Sequence, residues 1–224
     1  MDDAVVHGLG ARVLLLPFPG MQGHANPMIQ LGHRLAFHGL RPTLVVSRHV
    51  LSTAAATSGP CSYPFPVAAF SDGFDAGGIA SCPDTAEYLR RMEAAGSETL
   101  ARLLAAEARA AAGPGARLRL APAAAAFMTQ MCAVDLVYGE ARAGRVALPL
   151  ADGSALRGRL GVELGPHDVP PFMAAPRWYP AFTESALSQF DGLEQADDVL
   201  VNSFRDLEPK VSARIPLISS PEAS

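Results

Sequence analysis

The stretch Arg12–Pro17, RVLLLP, is apolar without interruption after its arginine and is bounded by Gly10 and Pro17. A strand with one wet face alternates polar and apolar residues, so an unbroken run reads as a strand covered on both faces. Behind it Met28, Leu31 and Leu35 recur at helical spacing, with Asn26 suited to the N-cap, Pro27 to the first helical position and Gly39 to the stop. The same alternation continues. Pro42–Val46 reads as a second strand, Ser47–Thr57 as a short helix ending near Gly59, and Val67–Phe70 as a third strand before an acidic, glycine-rich loop, Ser71–Gly78. Asp84–Ala112 carries an apolar stripe of Tyr88, Leu89, Met92, Leu100, Leu103 and Leu104 and is expected as one long helix ended by Gly113-Pro114-Gly115. A helix from about Gln130 to Ala143, a Pro/Gly-rich stretch Leu148–Pro180, a helix from Thr183 to about Leu193 and a strand Val199–Asn202 complete the pattern. Strands alternating with helices specify an α/β fold whose sheet is mostly parallel and flanked by helices.

Composition narrows the partners. With 224 residues, 49% of them hydrophobic and 18% charged, the chain can bury a core and is not a disordered one. Its 22 acidic residues outnumber 18 basic ones, a net charge of −4, so no basic face is available for nucleic acid or an anionic membrane surface. The start, Met1-Asp2-Asp3, is acidic where a secretory signal is basic, and the run Leu120–Met128 is far below the roughly 20 residues of a spanning helix. Cys61, Cys82 and Cys132 are odd in number and form no CxxC pair, which argues against a disulfide framework or a zinc site. A soluble, cytoplasmic protein without membrane insertion is expected. His33 and His38 lie five residues apart, not at the i, i+4 spacing of a helical metal pair, and His7, His49 and His167 have no partner at recognisable spacing. Asp72, Asp75 and Asp84 lack an EF-hand register and read as a solvated acidic loop, so no metal is expected.

One irregularity stands in the middle. Arg117–Ala121 and Ala123–Met128 are both strand-like, yet only Pro122 separates them, and neighbouring parallel strands need a crossover of about a dozen residues. Either Arg117–Ala121 is a lead-in, or a strand–helix unit is missing.

The loop Pro17–Pro27, PFPGMQGHANP, follows the first strand and opens a helix, which is where open α/β sheets bind ligands. Gly20 and Gly23 permit unusual dihedrals and close backbone approach, and the free N–H groups of the helix start favour negative charge. Neither GxGxxG nor GK[ST] occurs, so this is no dinucleotide fingerprint or P-loop. His24 precedes the expected helix by a turn or less. The positive helix end keeps such a ring neutral and able to accept a proton, although a histidine that only caps or packs fits the same position.

Five segments, in order, resemble the plant UDP-dependent glycosyltransferases (glycosyltransferase family 1). They are PFPGMQGHANP over 17–27, Ser71-Asp72-Gly73-Phe74-Asp75, Phe127-Met128-Thr129-Gln130, Asp168-Val169-Pro170-Pro171-Phe172, and Val201–Glu208, VNSFRDLE. The resemblance implies the N-terminal, acceptor-binding half of a two-domain GT-B fold, Rossmann-like, over residues 1–210. It lacks a strand–helix unit near 113–126, has a short tail over 211–224 and no C-terminal donor-binding domain. The implied reaction is inverting transfer of glucose from UDP-glucose to a hydroxyl or carboxyl of a small plant metabolite such as a phenolic or terpenoid. No metal or other cofactor takes part, the UDP-sugar being co-substrate, and a monomer is expected. By the same resemblance His24 is the base that removes the acceptor proton, and Thr129 matches a hydroxyl aimed at the donor sugar. Phe18, Gln22, Gly23, Phe74 and Phe127 are candidates for substrate binding, the three phenylalanines being equally compatible with core.

Two departures qualify that pattern. The family supports its histidine with an aspartate, but no aspartate lies between Glu107 and Asp135, and Asp135 is expected about two turns into a helix. The family also holds UDP with a C-terminal box that begins with tryptophan, whereas the only tryptophan here, Trp178, lies in a proline-rich loop. The chain is thus expected to be either a hexosyltransferase relative or a catalytically inactive, truncated acceptor-binding fragment.

Overall fold

The computed structural model describes residues 10–58, 64–112, 123–161, 163–165, 167–204 and 206–212. The chain divides into two compact units, Met1–Leu120 and Ala121–Ser224. The strand-like Arg117–Ala121, Cys61, His7 and the tail over 213–224 lie outside the described residues.

In the first unit β1 (Arg12–Leu15), β2 (Arg41–Ser47) and β3 (Val67–Phe70) form a parallel sheet in that order. Leu15 stands opposite Leu44, and Leu44 opposite Val67, so one apolar row crosses all three strands. Leu15, Leu44 and Val46 are buried, and Met28, Leu31 and Leu35 from α1 (Gln22–Phe37) pack on them. The helical spacing seen in the sequence is therefore the core-facing stripe of α1.

The start of α1 differs from expectation. The helix begins at Gln22 with Met21 at the N-cap, and Asn26 and Pro27 lie inside it. The Met21 carbonyl accepts from the amides of His24 (3.1 Å) and Ala25 (3.0 Å), closing the first turn without any side-chain cap. Pro27 has no N–H for the Gly23 carbonyl, but a proline this near a helix start removes a single bond of the ladder. The stop is as expected: Gly39 has φ +80°, and the Leu40 amide returns to the Leu35 carbonyl at 3.0 Å.

Two further helices complete this unit. In α2 (Arg48–Ser58), Ser47 Oγ accepts from the Val50 amide at 3.4 Å. In α3 (Thr85–Ala112), Asp84 Oδ1 accepts from the Ala86 amide at 2.9 Å, the geometry of an N-cap. Thr99 ties α3 to the end of β3, its hydroxyl accepting from the Ser71 amide at 3.1 Å.

The second unit pairs β4 (Ala125–Met128) with β5 (Asp198–Val201), again parallel, with Ala125 opposite Asp198. Between them run α4 (Cys132–Arg142), α5 (Pro171–Ala174) and α6 (Pro180–Ser188), and α7 (Pro209–Ser212) follows. Its core contains Val137 and Tyr138 of α4 together with Val146, Leu150, Leu156, Leu160, Val169 and Met173. The Pro/Gly-rich stretch thus supplies core side chains although little of it is regular. Among the described residues no helix is long and apolar enough to cross a membrane.

Asp135 lies in the first turn of α4, not two turns in, and is 6% exposed. Neither of its carboxylate oxygens has a hydrogen-bond partner among the described residues. The donors at this helix start are already taken: Glu208 accepts from the amides of Cys132 (3.2 Å) and Ala133 (3.3 Å) and from the Ser203 hydroxyl. Burial, and then the neighbouring Glu208 charge, push the Asp135 carboxyl up to about 7. Between its ordinary value of 3.8 and that value the folded protein holds a proton that the unfolded chain releases. The corresponding stability is complete below 3.8 and is lost as pH rises through about 7. Asp135→Asn keeps the shape without the ionisation. We expect it to flatten this loss and to raise the unfolding free energy at alkaline pH by roughly 2 kcal/mol, read from urea unfolding curves taken from about pH 4 to about pH 8.

Candidate functional site

The segment between β1 and α1 is tightly held. Pro17 and Pro19 are buried, Phe18 between them is half-buried, and Gly20 turns the chain at φ +71°, a conformation that residues with a Cβ rarely adopt. Gly23, by contrast, is an ordinary helical residue with open space around its missing Cβ, so the expectation of unusual backbone there is not met.

His24 is the third residue of α1 and half-buried. Its ring lies 5.8 Å from that of Phe18, centroid to centroid, at an interplanar angle of 44°. Burial lowers its pKa below the ordinary 6.5, so the ring is neutral at pH 7 and has a lone pair for a proton.

Of the three acids expected to be solvated around the loop after β3, Asp75 and Asp84 are exposed and Asp72 is not. Asp72 is 1% exposed; its Oδ1 accepts from the Phe74 amide (3.0 Å) and its Oδ2 from the Tyr88 hydroxyl (3.0 Å). Burial, reinforced by the Asp72 carboxylate, pushes the Tyr88 phenol above its usual range. Asp75 accepts from the Ser71 hydroxyl (2.7 Å) and from Arg48 (2.9 Å), which together hold its carboxyl below the usual range. The third acid, Asp84, is the cap of α3. Asp75 and Asp84 remain exposed with these partners, and of the three acids only Asp72 is taken out of water.

A cavity of about 530 Å³ opens among these elements. It lies at the carboxyl ends of the parallel strands, lined by the loop after β1, by Ser47 at the end of β2 and by Asp72 after β3, with α1 and α2 at its sides. Of the residues expected to bind substrate, Phe18 and Gln22 line it. His24 adjoins Phe18 without lining the cavity, and Phe74 stands behind Tyr88 at 5.3 Å between ring centroids. Phe127 ends in β4 and Thr129 follows it, both in the second unit, where the Asn202 amide group donates to the Thr129 carbonyl at 3.5 Å. Among the lining residues that the sequence did not single out for the site are three with polar chemistry of interest, His49, Asp72 and Tyr88. Asp72 was accessible in principle, since aspartate two residues before the amide it binds is the spacing of an Asx turn. Tyr88 is indistinguishable from a core residue by periodicity.

No family model matches the chain. Similar proteins are nevertheless numerous. The UDP-glucosyltransferase UGT13248 of Hordeum vulgare subsp. vulgare is 60% identical over 229 residues, spanning 93% of this chain and 47% of that protein. UDP-glycosyltransferase 79 of Oryza sativa subsp. japonica is 58% identical over 233 residues, 95% of this chain and 49% of its own. The crystal structure of Os79 from O. sativa in complex with U2F and trichothecene matches at 56% identity with a TM-score of 0.77, over 89% of this chain and 49% of that one. The chain is homologous to the plant UDP-glycosyltransferases. It spans about half the length of the curated relatives it matches. The resemblance to the N-terminal half of the GT-B fold holds, with parallel strands flanked by helices. Among the described residues no group of three or more His, Cys, Asp or Glu side chains is arranged to hold a metal ion.

In this glycosyltransferase homologue two glycines near the site respond oppositely to a methyl group. Gly78 has φ +59°, and a Cβ there would fall 2.3 Å from His49 Cδ2, whereas nothing lies within 4 Å of one on Gly23. Gly78→Ala is therefore expected to lower stability by about 1 kcal/mol or more and to displace the His49 imidazole resonances. Gly23→Ala should be neutral or stabilising by up to about 1 kcal/mol. Denaturant unfolding together with histidine-selective NMR spectra checks both.

Proposed function

We propose that this chain supplies the acceptor-binding half of an inverting UDP-glucosyltransferase acting on small hydroxyl- or carboxyl-bearing plant metabolites, with His24 as the base. The observation that carries this reading is a neutral, half-buried imidazole in the first turn of α1, beside a cavity at the carboxyl ends of the parallel strands. At about 530 Å³ the cavity is in the range of small-molecule sites. The related Os79 structure, in complex with a trichothecene, supports a compact terpenoid as one acceptor class. In the reaction the acceptor O–H gives its proton to His24, and the oxygen forms a bond to the anomeric carbon from the face opposite UDP. The bond from that carbon to the UDP oxygen breaks, and configuration inverts. Phe18 and Gln22 would contact the acceptor, with Gly23, Phe74, Phe127 and Thr129 as further candidates from the resemblance. The reading includes a cytoplasmic monomer that needs no metal.

We also infer that a strand–helix unit is missing between α3 and β4. Among the described residues β3 pairs only with β2, and β4 only with β5. β1 likewise pairs only with β2, and it is beside the first strand that a doubly wound sheet adds its fourth; a lost strand would leave such edges open, and with it would go the family's supporting aspartate. A second reading, acceptor binding without transfer, is favoured by His24 standing beside the cavity and not in its lining.

The two readings part experimentally. With this half joined to a donor-binding half and given UDP-glucose and a trichothecene such as deoxynivalenol, the first expects glucoside formation, reduced roughly 100-fold or more by His24→Ala, since general bases contribute about that much. Turnover unaffected by His24→Ala would refute His24 as the base. Acceptor binding in calorimetry with neither turnover nor UDP affinity would establish the second reading.

A further inference from the structure

The side chain most completely enclosed near the candidate base is Tyr88, which is 0% exposed and in which the reaction proposed above has no part. Its phenol donates to Asp72, and its ring lies 5.3 Å from Phe74 and 6.4 Å from Phe18, both tilted arrangements within aromatic contact range. Phe18 in turn lies against His24. From this continuous row we propose that Tyr88 is a positioning residue for His24, holding Phe18 against the imidazole while Asp72 holds Tyr88. The inference rests on the reading of His24 as base and adds the residues that set its surroundings.

The physical case is one of rotamers. Phe18 sits between two buried prolines, which limit its backbone, but its side chain is only half-buried and needs a neighbour to select one orientation. The Tyr88 ring is that neighbour. Its own position is over-determined: the Tyr88 amide donates to the Asp84 carbonyl at 3.0 Å, and its hydroxyl bonds a carboxylate fixed at its other oxygen by the Phe74 amide. The Arg91 guanidinium, 5.2 Å over the Phe74 ring, closes the far end of the row. If Phe18 swings away, water reaches the imidazole and the burial that lowers its pKa is relieved. The other titratable or charged groups around the row do not compete for this role. Asp75 and Arg48 bond each other, Asp72 is satisfied locally, and His49 lines the cavity from α2.

The experiment follows the His24 imidazole of the full chain by NMR through a pH titration without substrate, with His24→Gln providing the assignment. Wild type is expected to titrate below 6.5. Tyr88→Leu should move the midpoint upward by several tenths of a pH unit. Tyr88→Phe, which keeps the ring, should recover most of that shift despite lower stability. Phe18→Leu should shift the midpoint as Tyr88→Leu does, and combining the two should add little. A folded Tyr88→Leu with the wild-type midpoint overturns the proposal, as does a Tyr88→Phe shift as large as that of Tyr88→Leu. Should Tyr88→Leu not fold, Phe18→Leu at its half-buried site tests the same link, and an unchanged midpoint there overturns it. Because the titration needs no turnover, failure of His24 as base and failure of Tyr88 as its positioning residue give separate results.

Discussion

A carboxylate taken out of water must be met by donors, and around Asp72 that requirement organises the first unit. One oxygen takes the Phe74 amide and shapes the loop after β3; the other takes the Tyr88 hydroxyl and fixes the loop to α3. Thr99 repeats the link one helical stretch later through the Ser71 amide. With the loop and α3 joined, Tyr88 presents a fixed ring to Phe18, and Phe18 to His24. Breaking a buried bond of this type leaves an unpaired charge, which costs more than the bond itself contributes, so the constraint is strict.

The second unit meets the same requirement differently. Glu208 reaches the start of α4 from more than seventy residues away and takes the two amides there. Asp135, one turn on, then has no donor among the described residues and keeps a proton to near neutrality. Two carboxylates near one helix end have thus divided between an ionised cap and a neutral buried acid.

Much of the fold was legible from the sequence, because buried parallel strands and amphipathic helices leave strong periodic signals. The five strands among the described residues lie within a few residues of their expected positions, and Gly39 and Asp84 do what such residues do at helix ends. The start of α1 was misread because Asn26 and Pro27 look like a cap and a first turn, while the actual cap, Met21, has no side-chain signature. In the acidic loop Asp75 is exposed as expected, but the enclosure of Asp72 was not legible, because burial is a tertiary property. Nothing in Ser71–Asp75 announces that Tyr88, sixteen residues from Asp72, will cover it. His24 and Phe18 were reachable through the loop motif, whereas the tyrosine behind them carried only the signature of core.

Among the described residues, every one that lines the cavity comes from the interval between Pro17 and Tyr88. Its walls are strand ends and helix faces joined by short connections, so the chamber is encoded as one uninterrupted piece of sequence. Its contour can therefore diverge among homologues by changes confined to that interval. Insertions and losses elsewhere in the chain alter what stands beside the chamber but leave the list of its lining residues untouched.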